Sequence, residues 1–137
     1  MKTVLITGST SGIGLGIARE FAKTKNYNVV FNGLEPNGSE IAENISKEFG
    51  IATLFSPANM LKPEELRLMV DETVKKFGNI DILINNAGIQ HVSAIDEFPE
   101  DKWNAIIAIN LSSAFHLSKA VWPYMKKNGF GRIINIA

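Results

Sequence analysis

The chain has 137 residues, 45% apolar and 20% charged, and its 14 acidic side chains are matched by 14 Lys and Arg. That composition fits one globular domain, and zero net charge without a basic stripe excludes an electrostatic nucleic-acid or polybasic membrane binder. The absence of cysteine excludes disulfides and thiolate metal sites, and His91 and His116 lack the spacing of ligands on one helix face, so no metal is expected.

The chain opens on a short apolar run that reads as a strand over 2–6. The run is too short for a signal-peptide core and no stretch approaches a membrane span, so a cytoplasmic location is expected. Residues 13–24 carry helical spacing through Ile13, Ile17 and Phe21. A second strand is predicted over 28–32. The polar turn EPNGS leads to a helix over 39–49, with Ile41, Ile45 and Phe49 on one face and Gly50 as its stop.

A third strand covers 51–56. Pro63 opens a helix through Leu66, Met69, Val70, Val74 and Phe77; Lys75 and Lys76 sit in its last turn and Gly78 follows. A fourth strand is predicted over 80–85. A long helix over 100–127 places Trp103, Ile107, Asn110, Ala114, Leu117 and Val121 on one stripe. RIINIA, at 132–137, reads as a fifth strand. Strand and helix alternate throughout, which predicts an α/β, doubly wound (Rossmann) parallel sheet covered on both faces. Ligands of such a sheet bind beyond the carboxyl ends of its strands, here just after residues 6, 32, 56, 85 and 137.

TGSTSGIG, at 7–14, follows the first strand and opens the first helix. Its glycines let backbone turn tightly and lie close to a pyrophosphate, while the helix start offers N–H groups and a favourable dipole. The spacing is G-x-x-x-G-x-G, and no Gly-Lys-Ser/Thr follows, so it is not a P-loop. A capped Gly/Ser turn without a ligand is the plainer alternative. At the end of the second strand Asn32, Gly33, Leu34 and Glu35 include no cation for a 2′-phosphate, which favours NAD; Glu35 is either a ribose partner or a turn carboxylate. NNAG, at 85–88, offers two amides to tie neighbouring strands and a small pair to lie against a cofactor. Asn110 interrupts an apolar stripe. A buried amide costs about 1–3 kcal/mol unless partnered, so a water, a backbone group or a catalytic side chain is expected beside it, or a bend in the helix. His116 falls off the stripe and reads as a surface or interface residue.

TGSTSGIG, NNAG, the Asn110 helix and the closing RIINIA, in this order along the whole chain, resemble the short-chain dehydrogenase/reductases. GSTSGIGLGIA, NNAGIQHV and FPEDKWNAIIAINLSSAFH are similar to the branch that oxidises 3-hydroxybutyrate to acetoacetate with NAD. The resemblance implies that Gly8, Ser11, Gly12, Ile13 and Gly14 hold the pyrophosphate side. It places Leu34 by the adenosine and lines the adenine with Ala58, Asn59 and Met60. Asn86, Ala87 and Gly88 flank the cofactor, Leu111 packs near it, and Gln90 helps bind the substrate carboxylate. Asn110 is implied to be the catalytic asparagine. The family commonly has Asp where this chain has Asn59; an amide oxygen still accepts from an adenine amino group, so weaker binding is expected there. The implied partner of the whole protein is a small 3-hydroxy acid, and the implied assembly a homotetramer.

Oxidising an alcohol requires a base for the hydroxyl proton. The family uses a Tyr with Lys four residues on, and a Ser. Here Phe31 stands four after Tyr27, and Asn128 four after Tyr124. The expectation is an N-terminal, cofactor-binding part of one Rossmann domain, cut at the fifth strand and inactive alone, with apolar surface exposed on the last strand and long helix. The alternatives are part of another reductase of the family, such as a 3-oxoacyl-carrier-protein reductase, or a non-catalytic nucleotide-binding or assembly module.

Overall fold

A computed structural model describes residues 1–137. Its strands are β1 (Lys2–Ile6), β2 (Tyr27–Asn32), β3 (Thr53–Ser56), β4 (Ile82–Asn85) and β5 (Arg132–Asn135). They form one parallel sheet in the order β3-β2-β1-β4-β5. The helices are α1 (Gly12–Thr24), α2 (Gly38–Phe49), α3 (Pro63–Phe77), α4 (Glu100–Ile107) and α5 (Ser113–Asn128). A 3₁₀ turn spans Ile95–Glu97. No helix is long and apolar enough to cross a membrane.

Successive strand residues point to opposite faces, and both faces are buried by helices. Val4, Ile6, Val29, Phe31, Ile82 and Ile84 pack on the side of α1 and α2, against Ala18, Ala22, Ala42 and Ile45. Leu5, Val30 and Leu83 face the other way, against Leu66, Met69 and Val70 of α3 and Leu117, Val121 and Met125 of α5. The register aligns Ile6 with Phe31 and Ile84, so β1, β2 and β4 end together. Between β1 and β4 the order reverses direction, and a crevice opens above those ends.

The helix stops follow the expected chemistry: Gly50, Gly78 and Gly129 all cap with positive φ. Four sequence expectations need correction. The third and fourth strands start later, at Thr53 and Ile82; Ile51 and Ile80 are buried for packing but lie outside the ladder. The fifth strand ends at Asn135, so Ile136 and Ala137 lie beyond its ladder. The long helix is not one α-helix. A π turn at Ala108–Ser112 separates α4 from α5, with Asn110 at its centre. Asn110 thus lies where the helix departs from α geometry, in one wide turn.

One sheet edge and one helix face carry apolar side chains without cover. Ile134 and Ile136 on and after β5 are exposed, as are Leu111, Phe115 and Trp122 along the π turn and α5. Trp103 at the start of the stripe is also exposed; Leu117 and Val121 are the members that reach the core.

Candidate functional site

The crevice above β1, β2 and β4 is a cleft of about 340 Å³. Gly8, Thr10 and Ser11 form one wall, Asn32 to Glu35 a second, Ala58, Asn59 and Met60 a third, and Asn86 to Ile89 with Ile109 the fourth. Of the residues expected at a site, Gly8, Ser11, Leu34, Ala58, Asn59, Met60, Asn86, Ala87 and Gly88 line it. Gly12, Ile13 and Gly14 lie in the first turn of α1 beside it. Leu111, Gln90 and Asn110 lie outside the lining, and all three are exposed.

The turn from β1 into α1 is held by close packing that only glycine allows. Gly8 has φ +60° and Gly12 φ +55°. A Cβ on Gly14 would collide with the Gly8 carbonyl and stand 2.5 Å from Asn86 Nδ2. Ser11 enters α1 with extended backbone and no side-chain cap, and the first intrahelical bond is Leu15 N–H to the Ser11 carbonyl, 3.1 Å. The first turn thus has unpartnered N–H groups at the positive end of the helix dipole and no acidic side chain. Such an end suits an anion.

The NNAG amides do tie strands together. Asn85 Nδ2 donates to Asn135 Oδ1 of β5 at 2.9 Å, while its own Oδ1 is buried without a partner. Asn86 Nδ2 donates to the carbonyls of Thr7 (3.1 Å) and Gly8 (3.2 Å). In return the Thr7 hydroxyl accepts from the N–H groups of Asn86 (3.0 Å) and Ala87 (2.9 Å).

The expectation that Asn110 is buried is wrong: it is exposed, because the π turn swings it off the core-facing stripe. Its amide is satisfied all the same, by a backbone group. Oδ1 accepts from Ile89 N–H and Nδ2 donates to the Ile89 carbonyl, both at 2.9 Å. His116 is half-buried, with its ring edge-on to Phe115 at 5.3 Å. The Asn59 oxygen accepts from Leu61 N–H at 2.9 Å, so one of its lone pairs serves the loop.

Sequence reasoning missed the polar supports. Asn32, buried at the end of β2, accepts from Gly8 N–H (3.1 Å) and donates to the carbonyls of Ser56 (3.1 Å) and Ala58 (3.0 Å). Ser9 pairs with its backbone: Ser9 N–H to the Asn32 carbonyl, 2.7 Å, and Asn32 N–H to Ser9 Oγ, 3.0 Å. Thr10 donates its hydroxyl to Glu35 Oε2. That bond, with help from the Glu35 backbone and Ser11, holds the Glu35 carboxyl below its ordinary value. The available signal was a polar residue closing an apolar strand (NVVFN) and small hydroxyls packed among glycines (GSTSG). No group of three or more His, Asp or Glu is placed to hold a metal ion.

Residues 2–137 match the family model described as short chain dehydrogenase. The D-beta-hydroxybutyrate dehydrogenase of Cupriavidus necator is 48% identical over 136 residues, covering 99% of this chain and 52% of that protein. The enzyme of the same name from Rhizobium meliloti is 49% identical, with 99% and 53% covered. The chain spans about half the length of these curated relatives. Among solved structures, L-sorbose reductase from Gluconobacter frateurii, complexed with NADPH and L-sorbose, superposes with a TM-score of 0.93 at 33% identity, covering 98% of this chain and 51% of that one.

Proposed function

The chain belongs to the short-chain dehydrogenase family, and on that footing we propose that its cleft takes up a nicotinamide dinucleotide as the cofactor-binding part of an oxidoreductase. The carrying observation is the cradle of Gly8, Gly14 and Asn86, which a single Cβ would fill, set against the open first turn of α1. In this reading Gly8, Ser11, Gly12, Ile13 and Gly14 hold the pyrophosphate. Leu34, 68% exposed at the cleft edge, gives the adenosine an apolar surface, and Ala58, Asn59 and Met60 line the adenine. Asn86, Ala87 and Gly88 flank the cofactor, and Leu111 packs near its outer end. NAD is preferred over NADP because the cleft lining contains no Lys or Arg for a 2′-phosphate. When bound, the cofactor supplies a hydride acceptor; this chain's residues bind and orient it.

For the whole protein we propose oxidation of 3-hydroxybutyrate to acetoacetate: C3 loses a hydride to the cofactor and its hydroxyl loses a proton to a base. Support comes from identity near one half to the two hydroxybutyrate dehydrogenases. Gln90 binds the substrate carboxylate in this reading, and Asn110 contributes to the catalytic centre. Residues 1–137 form the N-terminal, cofactor-binding part of one domain and contain no Tyr-x-x-x-Lys. They are expected to bind NAD without turnover. Calorimetric titration of the chain with NAD tests the first claim: a folded chain that takes up no NAD would refute it. An assay with 3-hydroxybutyrate tests the second, where reduced cofactor above a no-protein blank would overturn the inactivity.

A further inference from the structure

Thr10 and Glu35 face each other across the cleft wall, and the contact is specific. Thr10 is only 4% exposed, lines the cleft, and donates its hydroxyl to Glu35 Oε2. Gly33 makes the approach possible: a Cβ there would collide with Thr10 Oγ1 and stand 2.6 Å from Glu35 Oε2. The two segments need no such bond to stay together, since Ser9 and Asn32 already join them through two hydrogen bonds one step earlier. What the Thr10 bond adds is a fixed carboxylate. Glu35 forms no salt bridge, and it is the only charged residue lining the cleft.

We propose that Thr10 is a positioning residue for cofactor selectivity: it fixes the Glu35 carboxylate beside the glycine turn, where that charge turns away a dinucleotide bearing a 2′-phosphate. The inference rests on the reading of the cleft as a dinucleotide site. Two anions held close in a partly desolvated cleft repel, and no cation in the lining offsets them. A Glu35 free to rotate would swing its charge into solvent, so the exclusion depends on Thr10 as well as on Glu35.

Calorimetric titration of the chain and three variants with NAD and with NADP tests this. The native chain should bind NAD at least about tenfold tighter than NADP; Glu35→Gln should narrow that ratio to within about threefold by improving NADP binding. Thr10→Val should narrow it in the same direction, and Thr10→Ser, which keeps the hydroxyl, should restore it. A ratio unchanged in Glu35→Gln and Thr10→Val, with NAD still bound, would overturn the inference and leave the dinucleotide reading standing. A cooperatively folded chain that binds neither cofactor would overturn both.

Discussion

Asn110 and Ile89 bond to each other through both ends of the asparagine amide, at 2.9 Å each. This pair couples the π turn to the loop that follows β4 and forms one wall of the cleft. Asn110→Ala should remove both bonds. Because the side chain is exposed, water replaces them, and the cost in stability should be about 1–2 kcal/mol. The sharper readout is local: the Ile89 amide should exchange hydrogen faster in Asn110→Ala. Equal protection in the two proteins would mean that the clamp does not order the loop.

Asn32 presents the opposite case, a buried amide whose oxygen and nitrogen are both used. Asn32→Ala leaves Gly8 N–H and the carbonyls of Ser56 and Ala58 without that partner. The expected loss is about 2–4 kcal/mol, read as a lower urea midpoint, because buried groups left unpaired pay their full desolvation cost. Asn32→Asp keeps the acceptor for Gly8 but sets an oxygen against two carbonyls. It should be no better than alanine at neutral pH and should recover as acid protonates the carboxyl.

Much of this architecture was legible in the sequence, for reasons that differ by element. The strands were readable because short β-branched apolar runs alternate with helical spacing that ends at glycine stops such as Gly50 and Gly78. The glycine turn was readable because Gly8, Gly12 and Gly14 sit between a strand and a helix. Asn110 was misplaced because a 3.6-residue period assumes an unbroken α-helix, and Asn110 sits at the centre of a π turn; Leu117 and Val121 beyond it still reach the core. Asn32, Thr7 and Thr10 went unseen because their roles lie in contacts with residues at least 23 positions away. Single-sequence spacing carries no record of those partners.

Two glycines two residues apart in the first turns of α1 should respond in opposite ways. Gly14→Ala places a methyl against the Gly8 carbonyl and Asn86 Nδ2, so the turn must move and NAD binding should be lost. Gly16 is exposed and an added Cβ meets nothing within 4 Å. Gly16→Ala should therefore stabilise the helix by about 0.5–1 kcal/mol and leave binding unchanged. Thermal melts and NAD titrations of the pair check this; a Gly14→Ala chain that binds NAD normally would show that the cradle is not needed for binding.

Glu35 should contribute to the acid limb of stability. Its folded-state carboxyl lies below the ordinary value of 4.5, first because Thr10 donates to the charged form. A depressed folded value gives stability that is present above the unfolded value and lost as pH falls through the folded one. Urea midpoints measured from pH 6 down to about pH 3 should fall less steeply in Glu35→Gln than in the native chain, with the difference developing from about 4.5 downward. Parallel curves would mean that Thr10 does not favour the ionised carboxyl.

The exposed apolar face should drive association. Phe115 and Trp122 are 62% and 60% exposed on α5, Leu111 is 64% exposed at the π turn, and Ile134 and Ile136 are open at the β5 edge. Large apolar patches seldom stay uncovered in water, and an unpaired strand edge adds backbone donors and acceptors for another chain. Light scattering behind size-exclusion chromatography should show a mass that rises with protein concentration. Glu substitutions at both Phe115 and Trp122 touch no residue of the cleft and should shift the chain toward monomer without changing its NAD titration. A native chain that remains monomeric at every concentration would show that these side chains are tolerated in water as they stand.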